Sequence, residues 1–105
     1  MKNNYCNIKN VETINPKNFE KLEEILRIIS NKTRLSILLI LMKYNEVCAC
    51  ELESALHMRQ STVTTHLLKL YHSGILKKRE DWKFTYYSLQ EDFKPLIKCI
   101  LNFKK

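Results

Sequence analysis

The sequence predicts a mainly α-helical domain with one small β-hairpin, in the order α-α-α-α-β-β-α. Three observations carry this expectation. Apolar residues recur at helical spacing in successive segments from Phe19 onward. Residues 47 to 74 divide into two short helical stretches about a tight break, which reads as a helix-turn-helix. Residues 75 to 79 and 84 to 89 alternate and are rich in aromatics, a hairpin signal. At 105 residues the chain is a single domain, 1–105, small enough that much apolar surface stays open unless a second subunit covers it.

Taken in order, Ile8, Val11 and Ile14 have loose helical spacing, suggesting a short amphipathic arm (residues 1–16) that stops before Pro16. From Lys17, the positions Phe19, Leu22, Ile25, Leu26 and Ile29 predict the first core helix, with Pro16 near its start where a missing N–H costs nothing. Asn31 is placed to cap a second helix from Lys32 to about Lys43. Its stripe of Leu35, Leu38, Leu39 and Met42 is widened by Ile37, Ile40 and Leu41, so this helix is expected at the centre.

After Tyr44-Asn45, the first helix of the helix-turn-helix is expected from about Cys48 to His57. In the second, Val63, Leu67 and Leu70 form the buried stripe and Gly74 the left-handed C-cap. The hairpin's connection, Glu80-Asp81-Trp82-Lys83, has no glycine, which predicts a loop of four residues or more on a type I turn. The last helix, Glu91 to about Phe103 within residues 91–105, lines up Phe93, Leu96, Ile97, Ile100 and Leu101 in one stripe. A short terminal helix with such a face needs a partner surface, and a second copy of the chain supplies it, giving a homodimer. Helices, a helix-turn-helix and a basic hairpin together describe a dimeric winged helix-turn-helix.

Charge narrows the function. The net charge is +7 with a pI near 9.3, which fits nucleic acid or an anionic membrane. Between Met58 and Arg79 there is no acidic residue, although the chain has 11, while Glu46, Glu51 and Glu53 gather on the helix before. An acid-free stretch is the footprint of a polyanion, here a double-stranded DNA operator. The expected contacts are Arg59, Gln60, Ser61, Thr62, Thr64, Thr65, His66 and Lys69 on the second helix of the pair, with Lys77, Arg79 and Lys83 on the hairpin. Gln suits adenine, hydroxyls suit bases or phosphates, and Thr methyls suit the thymine methyl. No apolar run approaches the roughly 18 residues of a membrane span. The N-terminal residues lack a signal peptide's apolar centre, so a cytoplasmic protein with reduced thiols is expected.

In that setting Cys6, Cys48, Cys50 and Cys99 point to metal binding, redox sensing or burial. Cys48 and Cys50 would stand on nearly opposite faces of a regular helix and could not share an ion there. Joint ligation therefore requires an irregular first turn. A helix N-terminus also favours the thiolate. An enzyme is not expected, because no thioredoxin-like Cys-X-X-Cys or βαβ pattern is present.

The chain resembles the ArsR/SmtB family of metal-responsive repressors over roughly residues 19 to 103. Ser30-Asn31-Lys32-Thr33-Arg34-Leu35-Ser36-Ile37-Leu38 is similar to that family's second-helix signature. Gln60-Ser61-Thr62-Val63-Thr64-Thr65-His66-Leu67, with Leu70 and Gly74, resembles its recognition helix, and Trp82 to Leu89 its wing strand. Glu46-Val47-Cys48-Ala49-Cys50-Glu51-Leu52 is similar to its cysteine box.

The resemblance implies a dimeric repressor released from DNA when a thiophilic metal or metalloid binds Cys48 and Cys50. The ion would be an inducer, not a requirement for DNA binding. Sulfur ligands suit As(III), Cd(II), Pb(II), Zn(II) or Cu(I). The arsenic-sensing pattern has a further cysteine three residues on, where this chain has Glu53. Cys6 on the arm is the candidate third ligand that the resemblance suggests, and Cys99 is expected at the subunit interface. The family's metal site on the last helix needs histidine, which residues 91–105 lack. The competing expectation keeps DNA binding but makes Cys48 and Cys50 a metal-free redox switch.

Overall fold

The structure is a computed structural model that describes residues 9–103. A single 3₁₀ turn, Pro16–Phe19, leads into α1 (Glu20–Ile29), followed by α2 (Lys32–Lys43), β1 (Val47–Cys48), α3 (Ala49–Leu56) and α4 (Gln60–His72). Strands β2 (Leu76–Asp81) and β3 (Phe84–Leu89), a 3₁₀ turn at Glu91–Phe93 and α5 (Lys94–Leu101) complete the chain.

Helix starts follow local chemistry. Asn15 accepts from the Lys17 N–H at 3.0 Å ahead of Pro16. Asn31 accepts from Thr33 and Arg34 N–H at 2.9 and 3.0 Å, satisfying two donors that the first turn of α2 leaves open. The amphipathic arm does not form a helix among the described residues: Val11 and Ile14 are exposed in non-helical chain. An isolated stretch this short cannot offset the cost of helix nucleation without a surface to pack on. Ile8 lies outside the described residues.

Helix α2 is central, with Ile37, Leu38 and Leu41 fully buried, whereas Leu39 turns outward. Around it pack Ile25 and Ile29 of α1, Leu52 of α3, Val63, Leu67 and Leu70 of α4, and Leu89 of the sheet. Gly74 has φ +90°, and the Ile75 N–H reaches back to the Leu70 carbonyl at 3.1 Å, closing α4 with the left-handed cap the sequence predicts.

Two features of the sheet depart from expectation. The sheet has three strands in the order β1-β3-β2, because Val47 and Cys48 pair antiparallel with Tyr87 and Tyr86. Two residues give too short a run to register as a strand in sequence, and their pairing partner lies far along the chain. Asp81 pairs with Phe84, so the hairpin turns on two residues, Trp82 and Lys83, rather than on four or more. Trp82 takes φ +61°, the position where a tight turn of this kind usually places glycine.

Helix α5 is shorter than expected, and its first turn is the 3₁₀ turn at Glu91–Phe93. Ile97, expected at a subunit interface, is wholly buried in the protomer's own core. The stripe is wide enough to serve two surfaces, and Ile97 sits on the side that meets α2. Phe93, Leu96, Ile100 and Leu101 are half-buried beside it.

Candidate nucleic-acid interface and thiol site

Helix α4 buries Val63, Leu67 and Leu70 completely, and that packing fixes which residues it turns outward. Arg59, Gln60, Ser61, Thr62, Thr65 and Lys69 are exposed, and Thr64 is half-buried. With no acidic residue in its first turn, the helix leaves its N-terminal N–H groups and polar side chains free of negative charge. The Thr65 hydroxyl donates to its own helix at the Ser61 carbonyl, 3.0 Å away, which leaves its methyl as the outward group.

His66, expected at DNA, is half-buried and bonded within the protein through one ring nitrogen. Its Nδ1 accepts from Arg34 Nε at 3.1 Å, while Arg34 Nη1 donates to the Ile28 carbonyl at 2.9 Å. Burial, then the nearby Arg34 and Lys69 charges, pushes the imidazole pKa below its ordinary value and keeps the ring neutral as an acceptor. Arg34 thus ties α4 to both α2 and the end of α1. Nothing in sequence distinguishes this arginine from an ordinary solvated one on a first turn.

On the wing, the cations divide by what they touch. Arg79, expected at a phosphate, makes a two-pronged contact with Glu46, with Nε and Nη2 at 3.0 and 2.9 Å from the carboxylate oxygens. It also lies over the Tyr86 ring at 4.9 Å. The contact holds the Glu46 carboxyl below its usual range and the guanidinium above its own. Lys77 adds attraction for Glu46 and Glu91, and Lys78 lies over Tyr71 at 4.7 Å. At the tip, Lys83 stacks on Trp82, which is 88% exposed, with no carboxylate partner among the described residues.

The thiols converge. Cys48 ends strand β1 in extended conformation, φ −92° and ψ 163°, and is the N-cap of α3, while Cys50 lies in that helix's first turn. The helix therefore begins one residue later than the sequence predicts, and the opposite-face geometry of a regular helix does not apply. The two Cα atoms are 5.4 Å apart, and the structure pairs the sulfurs as a disulfide. The Cys48 N–H donates to the Glu51 carboxylate at 2.9 Å, holding the irregular start in place. Cys48 is buried and Cys50 exposed.

These cysteines form one wall of a cavity of about 320 Å³, with Gln60 and Thr64 of α4 on another and Lys83, Phe84 and Thr85 of the wing on a third. The cavity thus joins the thiols to both α4 and the β2–β3 hairpin. Among the described residues, no group of three or more His, Cys, Asp or Glu comes together as a metal site. Once reduced, the pair would offer two thiolates, which suit a soft ion and not a hard oxygen-seeking one. Cys6 lies outside the described residues. Cys99 is exposed on α5 of the single protomer, and His57 closes α3 in the left-handed region at φ 55°. Among the described residues no helix is long and apolar enough to cross a membrane.

Comparison with known proteins agrees with this architecture. A family model described as "Bacterial regulatory protein, arsR family" matches residues 31–78. The arsenical resistance operon repressor of Escherichia coli is 36% identical over 66 residues, covering 63% of this chain and 56% of that protein, so the match spans little more than half of the relative. An HTH-type transcriptional regulator of Methanocaldococcus jannaschii is 34% identical over 84 residues, 78% of this chain and 93% of that protein. The solved structure of HlyU from Vibrio cholerae superposes with a TM-score of 0.74 at 31% identity, covering 81% of this chain and 92% of that one. The chain belongs to the ArsR family of bacterial regulatory proteins, DNA-binding transcription regulators and not enzymes.

Proposed function

We propose that the protein is a homodimeric repressor that leaves its operator when Cys48 and Cys50 take up a thiophilic metal or metalloid ion. The observation that carries this reading is the convergence of the two cysteines on a cavity walled by α4 and the wing. An ion held there lies within reach of Gln60 and Lys83, so its uptake can alter how the reading helix and the wing tip sit against DNA. Two thiolates favour As(III), Cd(II) or Pb(II) over four-coordinate zinc, and Cys6 is the proposed third sulfur. Relatives fit this choice: one from Escherichia coli is named an arsenical resistance operon repressor, and one from Staphylococcus aureus a cadmium resistance regulatory protein.

Gln60, Ser61, Thr62 and Thr64 read base edges, while Arg59, Lys69 and Lys83 meet phosphates. The second subunit covers the half-buried residues Phe93, Leu96, Ile100 and Leu101 of α5. It also covers the outward face of α1, where Phe19, Leu22 and Leu26 line an open groove.

The paired sulfurs also favour a second reading, in which an oxidant such as peroxide takes two electrons and two protons from the thiols to form the disulfide. One titration separates the two. Reduced protein on its own promoter DNA is treated with arsenite, cadmium or lead under strict reductant, and separately with peroxide and no metal. Release by the ions alone is expected; release by peroxide alone assigns the site to redox control, and release by neither removes both readings.

A further inference from the structure

Glu46 and Arg79 lie 33 residues apart in sequence, yet their side chains meet with two hydrogen bonds. In the sheet, Tyr86 of β3 faces Cys48 of β1 on one side and Arg79 of β2 on the other, so the three form one rank across the strands. The Arg79 guanidinium lies over the Tyr86 ring. Glu46, two residues before Cys48, thus reaches over the middle strand and grips the outer one. The segment carrying Cys48 is fastened to the wing twice, by backbone pairing to β3 and by the Glu46 carboxylate to β2.

Both partners are substantially solvent-exposed, with side-chain exposures of 52% for Arg79 and 38% for Glu46. A pair of that kind adds little to stability. Its geometric consequence is larger, because a two-pronged arginine–carboxylate contact fixes direction as well as distance. We propose that the Glu46–Arg79 clamp is the link by which the state of Cys48 and Cys50 sets the position of the wing, with both residues acting as positioning residues. Only Val47 separates Glu46 from Cys48, so a change in backbone direction at Cys48 on ligation displaces the carboxylate. The wing then either follows it or is let go, and in both cases Lys83 leaves its place relative to α4. Arg79 serves the DNA contact by holding the wing, not by touching phosphate. This inference rests on the thiol-sensing reading above.

The chain has one tryptophan, Trp82, and it stands at the wing tip, so its fluorescence reports the wing alone. Wild type, Glu46→Gln and the charge-swapped double variant Glu46→Arg/Arg79→Glu are titrated with arsenite and, in parallel, with cadmium(II), both under reductant. Three quantities are read: protection of the thiols from a thiol reagent, Trp82 anisotropy, and affinity for promoter DNA. In wild type the probe protects the thiols, shifts Trp82 and lowers DNA affinity by about 5-fold or more, within the usual range of allosteric coupling. Glu46→Gln is expected to protect its thiols at the same probe concentration while Trp82 stays unshifted and DNA affinity changes by less than about twofold. The swap restores the shift and the release. Release by Glu46→Gln equal to wild type, or a swap that restores nothing, overturns the clamp. Wild-type thiols that neither probe protects overturn the sensing reading itself, and the clamp's role with it, a failure visible in the first readout alone.

Discussion

Replacing Lys83 with alanine tests where the wing meets DNA. Lys83 has no acidic partner among the described residues and projects at the turn beside the exposed Trp82, whereas Arg79 is already neutralised by Glu46. Removing one cation from a phosphate lowers the slope of log affinity against log salt by about 0.9. A dimer carries two wings, so Lys83→Ala should lower the slope by about 1.8 in all, while Arg79→Ala should lower it by no more than this, through the wing it releases. Between 50 and 200 mM salt, a slope difference of about 1.8 changes the ratio of wild-type to Lys83→Ala affinity by about 12-fold. The assay is fluorescence anisotropy on operator and on unrelated duplex across that salt range, where the weakening should be similar on both, since phosphates carry no sequence. An unchanged slope for Lys83→Ala beside a drop of about two units for Arg79→Ala would refute the assignment, and would mean that Arg79 abandons Glu46 for phosphate on DNA.

The core and the subunit interface should respond differently to truncation. Ile97→Ala opens a cavity at a fully buried site and should cost about 2–5 kcal/mol. In a domain near this size that lowers the melting temperature by at least about 8 °C, and a shift under about 2 °C would contradict its placement. Leu96→Asp, on the half-buried side, should instead yield folded monomers by sedimentation, and a stable dimer would argue against that face. His66 supplies a pH signature. Its folded pKa lies below the unfolded value of about 6.5, so the unfolded chain binds the extra proton and stability falls as pH drops below about 6.5. Urea midpoints from pH 7.5 to 5 should therefore fall more steeply for wild type than for His66→Gln; parallel curves would contradict the half-buried acceptor role.

Much of this is legible in the sequence because it depends on local or periodic signals. Asn31 and Gly74 are caps whose chemistry acts within a few residues, and the stripe of Val63, Leu67 and Leu70 needs only helical geometry. What stays hidden depends on pairings distant along the chain. Strand β1 exists because Val47 and Cys48 meet Tyr87 and Tyr86, and that pairing moves Cys48 out of the helix and toward Cys50. Residue type and position point Arg79 and His66 toward DNA but do not reveal that Glu46 and Arg34 also bond them. Acidic Glu46 lies just outside the acid-free stretch, and only the fold brings it back to the wing. The two-residue turn at Trp82 escapes a sequence reading because it lacks the glycine that the conformation favours.

The central claim, that Cys48 and Cys50 together convert a thiophilic ion into loss of DNA binding, is tested most directly by comparing wild type with Cys48→Ser and Cys50→Ser. Operator affinity is measured under strict reductant, with and without arsenite or cadmium. Serine nearly matches cysteine in size, so both variants should bind DNA within about twofold of wild type in the absence of ion. Wild type should weaken by about 5- to 150-fold when the ion is added, since the ion must favour one state over the other to shift their balance. Neither serine variant should respond. A variant lacking both thiols that is still released by the same ion at the same concentration would contradict the account.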